Sequence, residues 1–169
     1  TRLDRGRPAG ELFKTTLEKS LFSSPAACIE TIDNRINRLN KEGSEEDLKD
    51  ISQLEELSQA LRQIKPQEFS KYQRLLGLLK DPGYGWTGKD TKDRLVIFTE
   101  RIETLRFLYD NLLRDLGLNK KQVEVLHGTG MSDVDQQNIV EAFGNEGSPI
   151  RLLIASDVAS EGINLHYLS

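Results

Sequence analysis

A chain of 169 residues, 37% hydrophobic and 30% charged, has room for one ordinary domain, or for a small domain with an appendage. Its net charge of −4 denies it the broad positive field that draws proteins onto nucleic acid, although a few hydroxyls and backbone amides can still hold phosphates. One cysteine, Cys28, and two histidines exclude disulfide frameworks and Cys/His metal sites, and make a reducing, cytoplasmic setting the default expectation.

No run of about 18 apolar residues is present, so no membrane span is expected. The start, Thr1-Arg2-Leu3-Asp4-Arg5-Gly6-Arg7-Pro8, lacks the apolar core of a signal peptide. It opens on Thr rather than Met and stops just past an apolar run, so both ends read as cuts.

Residues 11–80 read as helices. Leu12, Phe13, Leu17, Leu21 and Phe22 recur at helical spacing. Ser24 followed by Pro25 predicts an N-cap with proline at the first helical position, and Ile29, Ile32, Ile36 and Leu39 mark one face of the helix that follows. Gly43 ends it. Ser44-Glu45-Glu46-Asp47 opens the next with a capping-box pattern, and Leu48, Ile51, Leu54, Leu57, Leu61 and Ile64 form its stripe up to Pro66. Phe69, Tyr72, Leu75, Leu76 and Leu79 predict one more short helix. Such stripes are packing faces first, with partner grooves the minority reading.

Residues 81–92 break the pattern and read as a linker by their Gly and Pro content. Within them, Gly83-Tyr84-Gly85-Trp86-Thr87-Gly88-Lys89 matches GxGxxG, and matches the phosphate-loop pattern GxxxxGK up to its last letter. Both patterns require a strand before and a helix after, because the helix N-terminus supplies the amides that hold phosphate. Here a helix precedes and a strand follows. The position that would need a hydroxyl for magnesium is Asp90, a carboxylate that repels phosphate. The match is rejected.

From Arg94 the texture changes. Leu95-Val96-Ile97-Phe98 is a buried-strand run, and Ile102, Leu105, Leu108, Leu112, Leu113 and Leu116 form a helix closed by Gly117. Val123-Glu124-Val125-Leu126 is a second strand, Ser132-Asp133-Val134-Asp135 caps a helix through Phe143, and Ile150-Arg151-Leu152-Leu153-Ile154-Ala155 is the third strand. Strand, helix, strand, helix, strand at this pitch predicts a parallel sheet flanked by helices. The expected organisation is an all-helical segment over 1–80, a linker over 81–92 and an α/β unit over 93–169.

Three strand ends carry recognisable wording. Val96-Ile97-Phe98-Thr99-Glu100 resembles motif IV of superfamily-two helicases, and Leu126-His127-Gly128-Thr129-Gly130-Met131-Ser132 resembles the turn of their next strand. Residues 152–165, LLIASDVASEGINL, resemble their motif V almost letter for letter. Each is weak alone; the three in order, each at a strand's C-terminal end, form a strong joint signal over roughly the last 75 residues, about half a domain. The wording SEGINL and the long helical segment ahead are most similar to Swi/Snf-type proteins related to bacterial RapA. The helical segment also resembles helicase-like subunits of phage-defence systems.

The resemblance implies a partial second RecA-like lobe of an ATP-dependent nucleic-acid translocase. Ligands of open α/β sheets bind beyond the C-terminal strand ends, where all three motifs fall. It places Thr99, the amides of His127 and Gly128, and Ser156 against the phosphates of a bound strand, with duplex DNA favoured over RNA. It places Glu161, Gly162 and Asn164 at an inter-lobe ATP cleft, where Gly162 allows close backbone approach and Asn164 would bond a ribose hydroxyl. Plain helix capping is the alternative for Thr99 and Ser132, a hydrogen-bonded turn for His127, and a cap for Asp157.

One departure from the family is Gln136, where an arginine usually braces the lobe. The phosphate loop and acidic magnesium box belong to the first lobe, and the arginine-rich motif VI would begin beyond Ser169. Phosphoryl transfer needs phosphate cradle, metal and arginine together. ATP and Mg2+ are therefore expected in the intact parent and neither on this chain alone, whose partner is the missing first lobe. A rival reading makes the helical half a protein-interaction module on a degenerate scaffold. A truncated sheet leaves an open edge, so self-association, or cover from the N-terminal helices, is also expected.

Overall fold

The computed structural model describes residues 2–42, 45–90, 92–128 and 130–156. It comprises two compact units, divided between Phe69 and Ser70.

The first unit is helical: α1 (Arg2–Ser23), α2 (Pro25–Glu42), α3 (Glu45–Gln63) and a one-turn 3-10 helix at Pro66–Glu68. Ser24 alone separates α1 from α2, and its hydroxyl accepts the Ala27 N–H at 3.1 Å, the cap that the Ser-Pro pair predicts. Cys28, Ile32 and Leu61 are buried together, with Leu17, Ile29, Ile36 and Leu54 around them. The predicted stripe of α3 is corrected. Ile51 and Leu61 are buried, but Leu48, Leu57 and Ile64 are exposed. Ser58 fills the inward position instead, bonding Asp33 Oδ1 at 3.3 Å, while Arg62 pairs with Asp33 Oδ2 at 2.7 Å. The capping box expected at Ser44 lies outside the described residues.

The second unit begins with α4 (Ser70–Lys80) and continues through β1 (Leu95–Thr99), α5 (Ile102–Asp115), β2 (Val123–Leu126), α6 (Asp133–Gly144) and β3 (Leu152–Ser156). The sheet is parallel in the order β1-β3-β2, so the last strand enters between the first two. Strand alternation divides it into two faces. Leu126, Leu153 and Ala155 pack with Phe143, Ile150 and the apolar side of α6. Leu152 and Ile154, both 0% exposed, face the other way, where α5 lies across all three strands. This is the α/β class, a short parallel sheet between helices.

Gly117 ends α5 with φ +65°. Gly117 N–H donates to Arg114 O and Leu118 N–H to Leu113 O, the paired closure that left-handed glycine allows. At the same end of α5, Tyr72 of α4 donates its hydroxyl to Asp115 at 2.7 Å, and its ring sits edge-on to Phe107, 5.4 Å between centroids. These contacts dock α4 on the sheet unit.

No helix among the described residues is long and apolar enough to cross a membrane.

Candidate functional site

The glycine-rich segment comes first, because its geometry decides whether it can cradle phosphate. Asp81 Oδ1 accepts the Gly83 N–H at 2.8 Å, Thr87 Oγ1 accepts that of Lys89 at 3.2 Å, and Asp90 Oδ1 accepts that of Lys92 at 2.9 Å. Those three amides are turned onto the segment's own side chains, and the Tyr84 and Gly85 N–H groups donate to Asp81 O. Trp86 is buried. Gly88, at φ +66°, leaves only 3.0 Å between an added Cβ and Leu118, and 3.3 Å to the Trp86 ring. Gln122 Nε2 then donates to Gly88 O at 3.1 Å. The segment is a packed plug against the α5–β2 connection, preceded by α4 and followed by β1, with none of the strand-loop-helix order a phosphate loop needs.

At the opposite, C-terminal edge of the sheet, the register sets Thr99 directly beside Ser156. In parallel strands, partners in register point to the same face, so the two hydroxyl residues stand abreast where β1 and β3 end. Both are buried, Thr99 at 9% and Ser156 at 3% exposure. Thr99 Oγ1 accepts the Arg101 N–H at 3.4 Å, a long bond that serves the start of α5, where Arg101 offers no side-chain cap of its own. The capping alternative for Thr99 thus has a contact behind it.

His127 and Gly128 leave the end of β2 and are partly buried. Gly130 follows with φ +80°, and Met131 packs against the α6 core. Ser132 caps α6: its hydroxyl accepts the Asp135 N–H at 3.1 Å and donates to the Asp135 carboxylate at 2.6 Å. Gln136 donates to Met131 O at 3.2 Å, so its side chain ties the turn to the helix. The signal for this role was an amide side chain four residues after the cap, within reach of the preceding turn. Glu161, Gly162 and Asn164, with Asp157, lie outside the described residues.

The site as described gathers Thr99, Ser156 and the His127-Gly128 turn at one edge of three adjacent parallel strands. Such an edge offers hydroxyls and backbone N–H groups, which hold phosphate without reading bases. Residues 70–169 match the helicase conserved C-terminal domain. The chain belongs to that family. A curated relative is the pre-mRNA-processing ATP-dependent RNA helicase PRP5 of Debaryomyces hansenii, 29% identical over 105 residues. The match covers 62% of this chain and 10% of that protein, so the chain spans about a tenth of the relative's length. No solved structure matches. The helicase C-terminal domain accounts for the sheet unit, from α4 onward.

Proposed function

We propose that this chain supplies the second RecA-like lobe of an ATP-dependent helicase or translocase, with the C-terminal edge of its sheet as part of the nucleic-acid track. The observation that carries the reading is the register of Thr99 with Ser156, which sets two hydroxyl residues abreast at strand ends in a helicase C-terminal domain. The side-chain hydroxyls and the amides of the His127-Gly128 turn take the sugar-phosphate backbone. Glu161, Gly162 and Asn164 serve the ATP cleft shared with a first lobe, which brings the phosphate cradle and the magnesium carboxylates. Taken alone, the chain binds nucleic acid weakly and turns over no ATP.

The Swi/Snf-type wording of residues 160–165 favours duplex DNA, whereas the relative from Debaryomyces hansenii is named an RNA helicase. Fluorescence anisotropy with labelled duplex DNA and single-stranded RNA separates the two. The expected result is measurable binding at low salt that falls several-fold in Thr99→Ala and Ser156→Ala; binding indifferent to both substitutions would remove this edge from the track. Tighter binding of RNA than of duplex DNA would reassign the track while leaving the edge in place.

A further inference from the structure

A groove of about 420 Å³ runs between α2 and α3 of the first unit. Its floor is Ser58, only 5% exposed, with the half-buried Ile36 beside it. A serine at this inward position is smaller than the aliphatic residues around it, and leaves the space open. On α2, Asp33 and Asn37 stand four residues apart; on α3, Glu55, Gln59 and Arg62 are spaced by four and three. Each set therefore shares one flank of its helix, and the two flanks form the groove walls.

One end of the groove is balanced in charge. Arg62 pairs with Asp33 at 2.7 Å, and Ser58 donates to the other oxygen of that carboxylate at 3.3 Å. The other end is not. Glu55 lies roughly 10 Å along α3 from Arg62 and meets no cation among the described residues. The amide side chains of Asn37 and Gln59, also in the walls, bond no described residue. The surrounding charge has the same sign as Glu55. Over its length α3 holds six carboxylates and two cations, a net −4 that equals the charge of the whole chain. In α2 the charges cancel, three of each sign. The field along this hairpin therefore draws cations.

We propose that the groove between α2 and α3 docks an arginine-bearing segment of a partner protein. Its guanidinium donates to the Glu55 carboxylate and to the amide oxygens of Asn37 and Gln59, while its methylene stem lies on Ile36. A planar fork serves several acceptors at once, which the point charge of a lysine does not. Volume limits the occupant: ligand pockets run from about 300 to 1,000 Å³, so this groove takes one or two side chains rather than a folded domain. Because Arg62 already neutralises Asp33, one guanidinium at Glu55 completes the balance. The site lies wholly in the first unit and does not depend on the nucleic-acid track.

The test titrates the 169-residue chain with a short capped alanine–arginine peptide at low ionic strength, by fluorescence anisotropy and by backbone amide resonances in NMR. Saturable binding is expected, shifting the resonances of Asn37, Glu55 and Gln59. It should weaken about threefold or more in Glu55→Gln and vanish in Glu55→Lys. Glu55 is exposed, so both variants keep the fold. Glu56→Gln, next in sequence but outside the groove, should bind as wild type does. Absence of saturable binding, or binding that survives Glu55→Lys, overturns the site. Equal binding of the peptide with glutamine in place of arginine overturns its charge basis. Spermine run in parallel distinguishes a small polycation: if it shifts the same resonances at the same concentration, the assignment to a protein segment is wrong. Shifts at Glu55 that grow with protein concentration alone would make the occupant a second copy of this chain, and would overturn the partner equally.

Discussion

Asp115 takes two partners at the end of α5: Arg114 Nε at 2.7 Å and the Tyr72 hydroxyl at 2.7 Å. The guanidinium first, and the phenol after it, hold its carboxyl below the ordinary carboxylate value, while burial and Asp115 push the Tyr72 phenol well above its own. The sign for Asp115 follows from the lowered folded value. Its stabilising contribution is complete above the unfolded value of about 3.9 and is lost as pH falls through the folded one. In urea unfolding, Asp115→Asn should therefore be less stable than wild type at about pH 6, with the gap closing below about pH 4. Tyr72→Phe should lose about 1 kcal/mol at neutral pH, with the T-shaped contact to Phe107 retained. Gly88 gives a sharper case. Any side chain there must adopt φ +66° and meet Leu118 at 3.0 Å, so Gly88→Ala should cost about 1–3 kcal/mol. None of these three was legible in sequence. A tyrosine in a helical stripe and an aspartate near a helix end do not reveal that they meet across 43 residues. The glycine loop read as a linker because Gly and Pro content reports turns, whereas burial of Trp86 depends on Leu118 and Gln122, which arrive later in the chain.

Helices and strands of the second unit follow closely from local chemistry. Ser132 with Asp135 in the first turn marks the start of α6, and Gly117 marks the end of α5; each makes the bonds its position predicts. Ser132→Ala should cost about 1 kcal/mol by chemical denaturation, and a variant that unfolds at the wild-type midpoint would show the cap to be idle. Periodicity served α2 well, since Ile32 and Leu39 are both buried. It misled for α3, where the inward row runs through Ser58 and leaves Leu57 outside. Counting apolar residues cannot detect a serine that is held inside by an aspartate on the neighbouring helix.

At the scale of the whole chain, the α/β class was legible from the alternation of strand and helix, and family membership of residues 70–169 agrees with the expected C-terminal lobe of a helicase. The strand order β1-β3-β2 was not. Each strand is a short apolar run, and nothing local says that β3 inserts between its predecessors to bring Ser156 beside Thr99. That insertion makes β1 and β2 the two borders of the described sheet, and Phe98 on β1 is 47% exposed. Open strand edges with apolar side chains recruit further strands. Light scattering should show reversible association of the isolated chain as concentration rises, and Phe98→Lys should reduce it; a concentration-independent monomer would show that these borders recruit nothing.

The central claim is that this domain is one lobe of a two-lobed motor. It is tested most directly by ATP hydrolysis, with and without DNA or RNA, by this chain alone and by a longer chain that adds a RecA-like first lobe and an arginine-bearing segment after motif V. The account predicts no turnover by the short chain and nucleic-acid-stimulated turnover by the long one. Hydrolysis by the short chain alone would contradict it, and would reopen the packed glycine loop around Gly88 as a nucleotide site.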